Sequence, residues 1–136
     1  MSKILAIDYG AKRTGFAISD ESKTFAFGLS AQETKQAFNY LEKLIPAEQI
    51  DTIVIGIPKT LNNEYAAIVP QIQQFINRIK NKFPHIKMVE ADERFTSKMA
   101  FQTMIDSGLK KKDRQNKGLV DEISATIILQ NYLETI

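Results

Sequence analysis

Three carboxylates sit where an α/β chain tends to place its chemistry. Asp8 closes the apolar run KILAID (Lys3 to Asp8), directly before Tyr9-Gly10. An aspartate ending an apolar strand is costly unless it caps the turn or holds a ligand, and the residue alone leaves both readings open. Glu93 follows a second run, KMVEAD (Lys87 to Asp92), inside EADERFTS. One of Glu90, Asp92 and Glu93 can serve as a cap or helix-dipole partner; three are more than capping needs. Asp121 falls in the first turn of a helical stretch, GLVDEISATIILQ. Helical spacing sends it to the face of Ala125 and Ile128, and sends Glu122 to that of Thr126 and Gln130. Asp121 is therefore expected to point inward and Glu122 outward. A dipole role accounts for the position of Asp121 but not for its direction.

Inward carboxylates from three separate segments repel one another unless cations bind between them. The chain has 0 Cys, so thiolate sites are excluded. Hard oxygen donors favour Mg²⁺ or Mn²⁺. Two such ions, roughly 3.5–4 Å apart, activate a water and stabilise the leaving oxygen of a phosphodiester. Basic residues suit such a substrate. Lys12 and Arg13 stand at the tip of the turn after Asp8, and Lys110, Lys111 and Lys112 open the run KKKDRQNKG. Such a run contacts phosphates or forms a solvated loop. The formal net charge of +2 is too small to announce a nucleic-acid partner by itself. The single histidine, His85, lies in a connection after Pro84 and reads as a surface loop residue, not as a general base. Tyr9 and Phe95 flank the candidate site, the best-placed aromatics to touch a base, although such rings commonly pack.

A length of 136 residues fits one domain over residues 1–136. The N-terminal apolar run is too short for a signal peptide or membrane span. Strands are expected at Lys3 to Asp8, Thr14 to Ser19, Thr24 to Leu29, Thr52 to Ile57 and Lys87 to Asp92. The first two form an antiparallel hairpin. A helix is expected from Ala31 to about Ile45, with Ser30 as N-cap, Glu33 completing a capping box and Pro46 as its stop. A second ends near Phe83, with Pro70 in its first turn. A third runs from Thr96 or Ser97 to about Ser107, and the last from Leu119 to Leu133. The order β-β-β-α-β-α-β-α-α implies an α/β fold, a five-stranded mixed sheet with helices on both faces. The turn Asp8-x-Gly10-x-x-x-x-Gly15 also suits the phosphate loop of actin-like ATPases and sugar kinases. Those need two such domains, more than 136 residues can hold.

Four ordered blocks, AIDYGAKRTGFAISD, IVIGIP, EADERFTS and KGLVDEISATIILQNYL, resemble the YqgF/RuvX family of pre-16S ribosomal RNA nucleases, also described as Holliday junction resolvase-like. The resemblance spans nearly the whole chain and implies a ribonuclease H-like fold. It implies Asp8, Glu93 and Asp121 as catalytic, metal-holding carboxylates, with Lys12 and Arg13 as the basic pair of the first turn. It implies that Arg94 orients a carboxylate or a phosphate. It implies cytoplasmic processing of the 5′ end of 16S rRNA, with pre-16S rRNA or the immature small subunit as partner and no membrane. A monomer or weak homodimer is expected. The competing readings are a resolvase of branched DNA and a catalytically silent RNA- or ribosome-binding module. Two features depart from the family pattern: the loop Lys59-Thr60-Leu61-Asn62-Asn63-Glu64 where a glycine is usual, and Ser97 where Thr is common.

Overall fold

Along Lys3–Asp8, the first strand (β1), successive side chains enter two different cores. Leu5 and Ile7 belong to one, Ile4 and Ala6 to the other. Burial on both faces marks a central strand, and β1 lies mid-sheet. In the computed structural model, residues 2–58, 67–92 and 117–136 are described. The remaining strands are β2 (Arg13–Ser19), β3 (Ala26–Glu33), β4 (Ile50–Ile57) and β5 (Lys87–Asp92), in the spatial order β3-β2-β1-β4-β5. The β1–β2 and β2–β3 pairs are antiparallel, and β1–β4 and β4–β5 are parallel. The mixed five-stranded sheet and its leading hairpin are as the sequence predicts.

Helices α1 (Thr34–Glu48) and α2 (Val69–Lys82) cover one face, where Leu41, Ile45, Ile72 and Ile79 pack on Leu5, Ile7, Phe16 and Ile55. Helix α3 (Lys117–Leu133) covers the other through Ala125, Ile128, Leu129 and Leu133, against Ile4, Ala6, Ala17 and Val54. Burying a side chain such as Leu129 contributes about 1.5–3 kcal/mol, which holds α3 against β1 and β2. The helix begins at Lys117, two residues earlier than expected, so Asp121 stands in its second turn and not its first. The helix expected over 97–107 lies outside the described residues.

Several element ends shift by one or two residues, and the region around α1 differs from expectation by more. Strand β3 runs on to Glu33, so Ser30 is not a cap, and Glu33, at the N-cap position of α1, makes no side-chain capping bond. Gln32 and Glu33 pair with Thr14 and Arg13 of β2 instead; ladder hydrogen bonds from a distant segment outweigh the local capping pattern. Pro46 lies inside α1 rather than ending it. Its fixed φ suits a helix, and near the helix end the lost N–H is offset by burial of Leu41 and Ile45. The helix closes at Gln49, whose left-handed conformation aims its N–H at the Ile45 carbonyl. Among the described residues no helix is long and apolar enough to cross a membrane.

Candidate active site

Side chains alternate along a strand, so Asp8 points to the face that receives Ile4 and Ala6, the α3 side. Its antiparallel partner is Gly15 on β2. Helix α3 descends onto that glycine. A Cβ built on Gly15 would stand 2.1 Å from the Asp121 carbonyl oxygen and 3.2 Å from the Asp121 Cβ. Cross-strand Cβ atoms are about 4.5–5.5 Å apart, so the Cβ atoms of Asp8 and Asp121 lie within roughly 9 Å of each other. Both residues are half-buried. Arg13, two residues before Gly15, donates from Nε to Asp121 Oδ2 at 3.4 Å. Two of the three expected carboxylates thus meet on one face at the C-terminal end of β1.

Strand β5 ends at Asp92 beside Ile57, so β1, β4 and β5 finish along the same edge. Met88 packs into the α1–α2 core, and Val89 and Ala91 into the α3 core. Glu90 and Asp92 therefore share the face of Met88, away from Asp8, and Gln73 of α2 donates to Glu90 Oε1 at 3.3 Å. Glu93, Arg94, Phe95, Ser97, Lys110, Lys111, Lys112 and the 59–64 loop lie outside the described residues. His85 is exposed, at the N-terminal end of β5, with its ring edge-on to Phe83, which puts it at the opposite end of the sheet from Asp8. Tyr9 stacks at a tilt on Phe75, ring centroids 5.0 Å apart, and packs against the α1–α2 core.

The turn after Asp8 is held by a residue that no local pattern singles out. Thr34, the first residue of α1, donates its hydroxyl to the Gly10 carbonyl at 2.5 Å and its N–H to the Lys12 carbonyl at 2.9 Å. The hydroxyl of the fully buried Thr14 lies 2.9 Å from that of Thr34. The turn is tight: a Cβ on Gly10 would stand 2.4 Å from the Arg13 carbonyl oxygen. Lys12 is exposed at its tip and Arg13 half-buried beside it. Thr34→Val keeps the shape and removes the hydroxyl, leaving the Gly10 carbonyl and the Thr14 hydroxyl short of a partner. A loss of about 1–3 kcal/mol is expected in urea unfolding; unaltered stability would show that the turn holds itself.

Residues 2–135 match the model of the RuvX family, described as Holliday junction resolvase. The chain belongs to this family. A Flavobacterium psychrophilum protein named "Putative pre-16S rRNA nuclease" is 53% identical over 133 residues, 98% of this chain and 97% of that protein. The protein of the same name from Bacteroides thetaiotaomicron is 50% identical over 135 residues, 99% and 98% of the two chains. Among solved structures, T. thermophilus RuvC in complex with Holliday junction substrate is similar with a TM-score of 0.60 at 13% identity, over 99% of this chain and 95% of that one. Fowlpox virus resolvase, complexed with Holliday junction DNA, gives 0.59 at 16%, over 98% and 97%. At such identities the likeness is one of fold, and the fold is ribonuclease H-like.

In this RuvX family member the donor chemistry at the β1–α3 junction fits a hard divalent cation. Asp8 and Asp121 place carboxylates on one face, their Cβ atoms within roughly 9 Å, in a chain with 0 Cys. Among the described residues no three metal-ligating side chains form a group; the expected third ligand, Glu93, lies outside them. Glu122 corrects an expectation. It does not turn out to solvent but lies over β3, where a Cβ on Gly28 would meet its Oε1 at 2.6 Å. Helix α3 packs on β2 and β3 as well as on β1, so both flanks of its first turns face the sheet. Burial pushes the Glu122 carboxyl above its ordinary range. A raised folded-state value means that the ionised form costs stability as pH rises through it, and that the cost is absent where the side chain is protonated folded and unfolded. Glu122→Gln is therefore expected to raise Tm at pH 7 in metal-free buffer, with the gain vanishing below 4.5, the ordinary value of a free glutamate. A gain that persisted at low pH would point to a cause other than charge burial.

Proposed function

We propose that this chain is a Mg²⁺- or Mn²⁺-dependent endonuclease that processes the 5′ end of pre-16S rRNA in the cytoplasm, acting as one domain over residues 1–136. The observation that carries the reading is the meeting of Asp8 and Asp121 across Gly15, in a chain about half identical to proteins named for that activity. Asp8, Glu93 and Asp121 are the residues that would hold the ions, two per site. When bound, such ions supply positive charge to the phosphodiester oxygens and lower the pKa of the attacking water. The chain's own residues do the rest. Arg13 stays at the rim against Asp121, where its guanidinium is placed to meet a substrate phosphate. Lys12 extends that positive edge, and Arg94 and Lys110 to Lys112 are assigned to the same strand. With His85 at the far end of the sheet, no imidazole is available near Asp8, which suits a reaction that relies on metal-activated water.

Resolution of branched DNA is the second reading, favoured by the family description. Two substrates separate them. The purified protein is incubated with a transcript carrying the 16S 5′ leader and with a four-way DNA junction, each with Mn²⁺. Cleavage confined to the transcript is expected, and depletion of the protein in cells should leave 16S precursor unprocessed. Junction cleavage together with normal rRNA would transfer the assignment to DNA. Failure to cut either would leave a silent binding module that keeps the fold.

A further inference from the structure

Beside the Asp8 turn lies a surface pocket of about 450 Å³, lined by Ala11, Lys12, Arg13, Glu33 and Lys35. Its lining has three cations, one carboxylate and no apolar side chain larger than Ala11. It holds no aromatic ring and no large apolar side chain, whereas a phosphate finds positive charge and water. Arg13 is the wall shared with the active site, because its Nε also reaches Asp121 at 3.4 Å. The backbone positions that carry the cations are tied together. Thr34, between Glu33 and Lys35, is bonded through its side chain to Gly10 and through its backbone to Lys12, which locks the start of α1 to the turn. Lys35 Nζ lies 3.3 Å from Glu33 Oε2, with the two side chains 77% and 65% exposed. An ion pair that exposed is weak and yields to a better anion.

We propose that this pocket binds a backbone phosphate of the nucleic-acid strand adjacent to the one at the reacting centre, with Lys35 and Lys12 as its ligands and Glu33 as a carboxylate that loosens the hold. The proposal rests on the nuclease reading for the identity of the strand. It assigns Lys35 and Glu33 opposite effects on one ligand, as their charges demand.

Binding of a short fluorescein-labelled RNA strand, and of the same sequence as DNA, is followed by anisotropy in metal-free buffer over a series of KCl concentrations. Lys35→Gln should weaken both strands severalfold and reduce the slope of log Kd against log salt by about 0.7, the loss of one phosphate contact on a single strand. Glu33→Gln should tighten both. Lys82→Gln, on α2, should leave affinity and slope alone. An unchanged slope in Lys35→Gln, or weaker binding by Glu33→Gln, overturns the proposal. So does a loss on only one of the two strands, because the phosphate is common to both. Metal-free binding separates this pocket from the nuclease reading. A slope change in a protein that cuts nothing supports the pocket and sinks the reading; cleavage with a wild-type slope in Lys35→Gln does the reverse.

Discussion

Asp8→Asn is expected to reduce metal-dependent cleavage at least about 100-fold while leaving the fold in place. The side chain keeps its shape and loses its charge. Charge stabilisation by a bound metal at a phosphoryl oxygen is worth several kcal/mol, and each 1.4 kcal/mol is a factor of about ten in rate. Stability should barely respond, because Asp8 is half-buried at the end of β1 while the strand itself is anchored by the fully buried Leu5, Ala6 and Ile7. A thermal melt with and without Mn²⁺ reads the metal directly. A ligand that binds only the folded chain adds about 2.7 kcal/mol of stability at a hundred times its Kd. The wild-type chain should gain that increment, and Asp8→Asn should lose most of it. Cleavage that survives the substitution at the wild-type rate belongs to another nuclease in the preparation, and Asp8 is then only a turn residue.

How far the sequence could be read depended on whether the decisive contacts were local. The strands announce themselves because apolar runs end abruptly in Tyr9-Gly10 or in charged residues, and β1 and β5 occur with the expected bounds. Asp8 stands out because it interrupts such a run. The inward direction of Asp121 follows from the helical period relative to Ala125 and Ile128, both buried against the sheet. What was not legible depends on distant partners. Nothing in SAQE indicates a strand; those residues are extended because β2 pairs with them. Nothing marks Glu122 as covered, because the cover comes from β3 at Gly28. Thr34 reaches Gly10 over 24 residues, and Thr14 reads from sequence as an ordinary strand residue. The carboxylate cluster at Glu90, Asp92 and Glu93 is legible as a cluster, but not the faces its members take. Glu90 and Asp92 share the α2 side, away from Asp8, and Glu93 lies outside the described residues.

Gly15→Ala is the substitution expected to damage fold and site together. The added Cβ would stand 2.1 Å from the Asp121 carbonyl oxygen and 2.5 Å from its carbonyl carbon. These are backbone atoms of α3, so no rotamer change removes the clash; the N-terminal two turns of the helix must lift from the sheet or β2 must bend. Overpacking of this kind costs about 1–3 kcal/mol or more, a fall in Tm of at least roughly 3–10 °C for a domain of this size. The functional loss should be larger still. Asp121 is carried by the turn that moves and Asp8 by the strand that does not, and a displacement of about 1 Å at a reacting centre costs roughly 100-fold. Gly28→Ala is the informative contrast. There the obstacle is the Glu122 side chain, 2.6 Å away at Oε1 and 2.8 Å at Cγ, which can rotate about its own bonds out to water and in doing so relieve its burial. The two glycines face the same helix, yet only Gly15 should be needed for Mn²⁺ affinity. Adding Asp121→Ala to Gly15→Ala should not restore Tm, since the clash is with the main chain and not with the carboxylate. A Gly15→Ala protein with wild-type Tm and wild-type Mn²⁺ affinity would mean that α3 does not rest on β2 at this point, and the pairing of Asp8 with Asp121 would go with it.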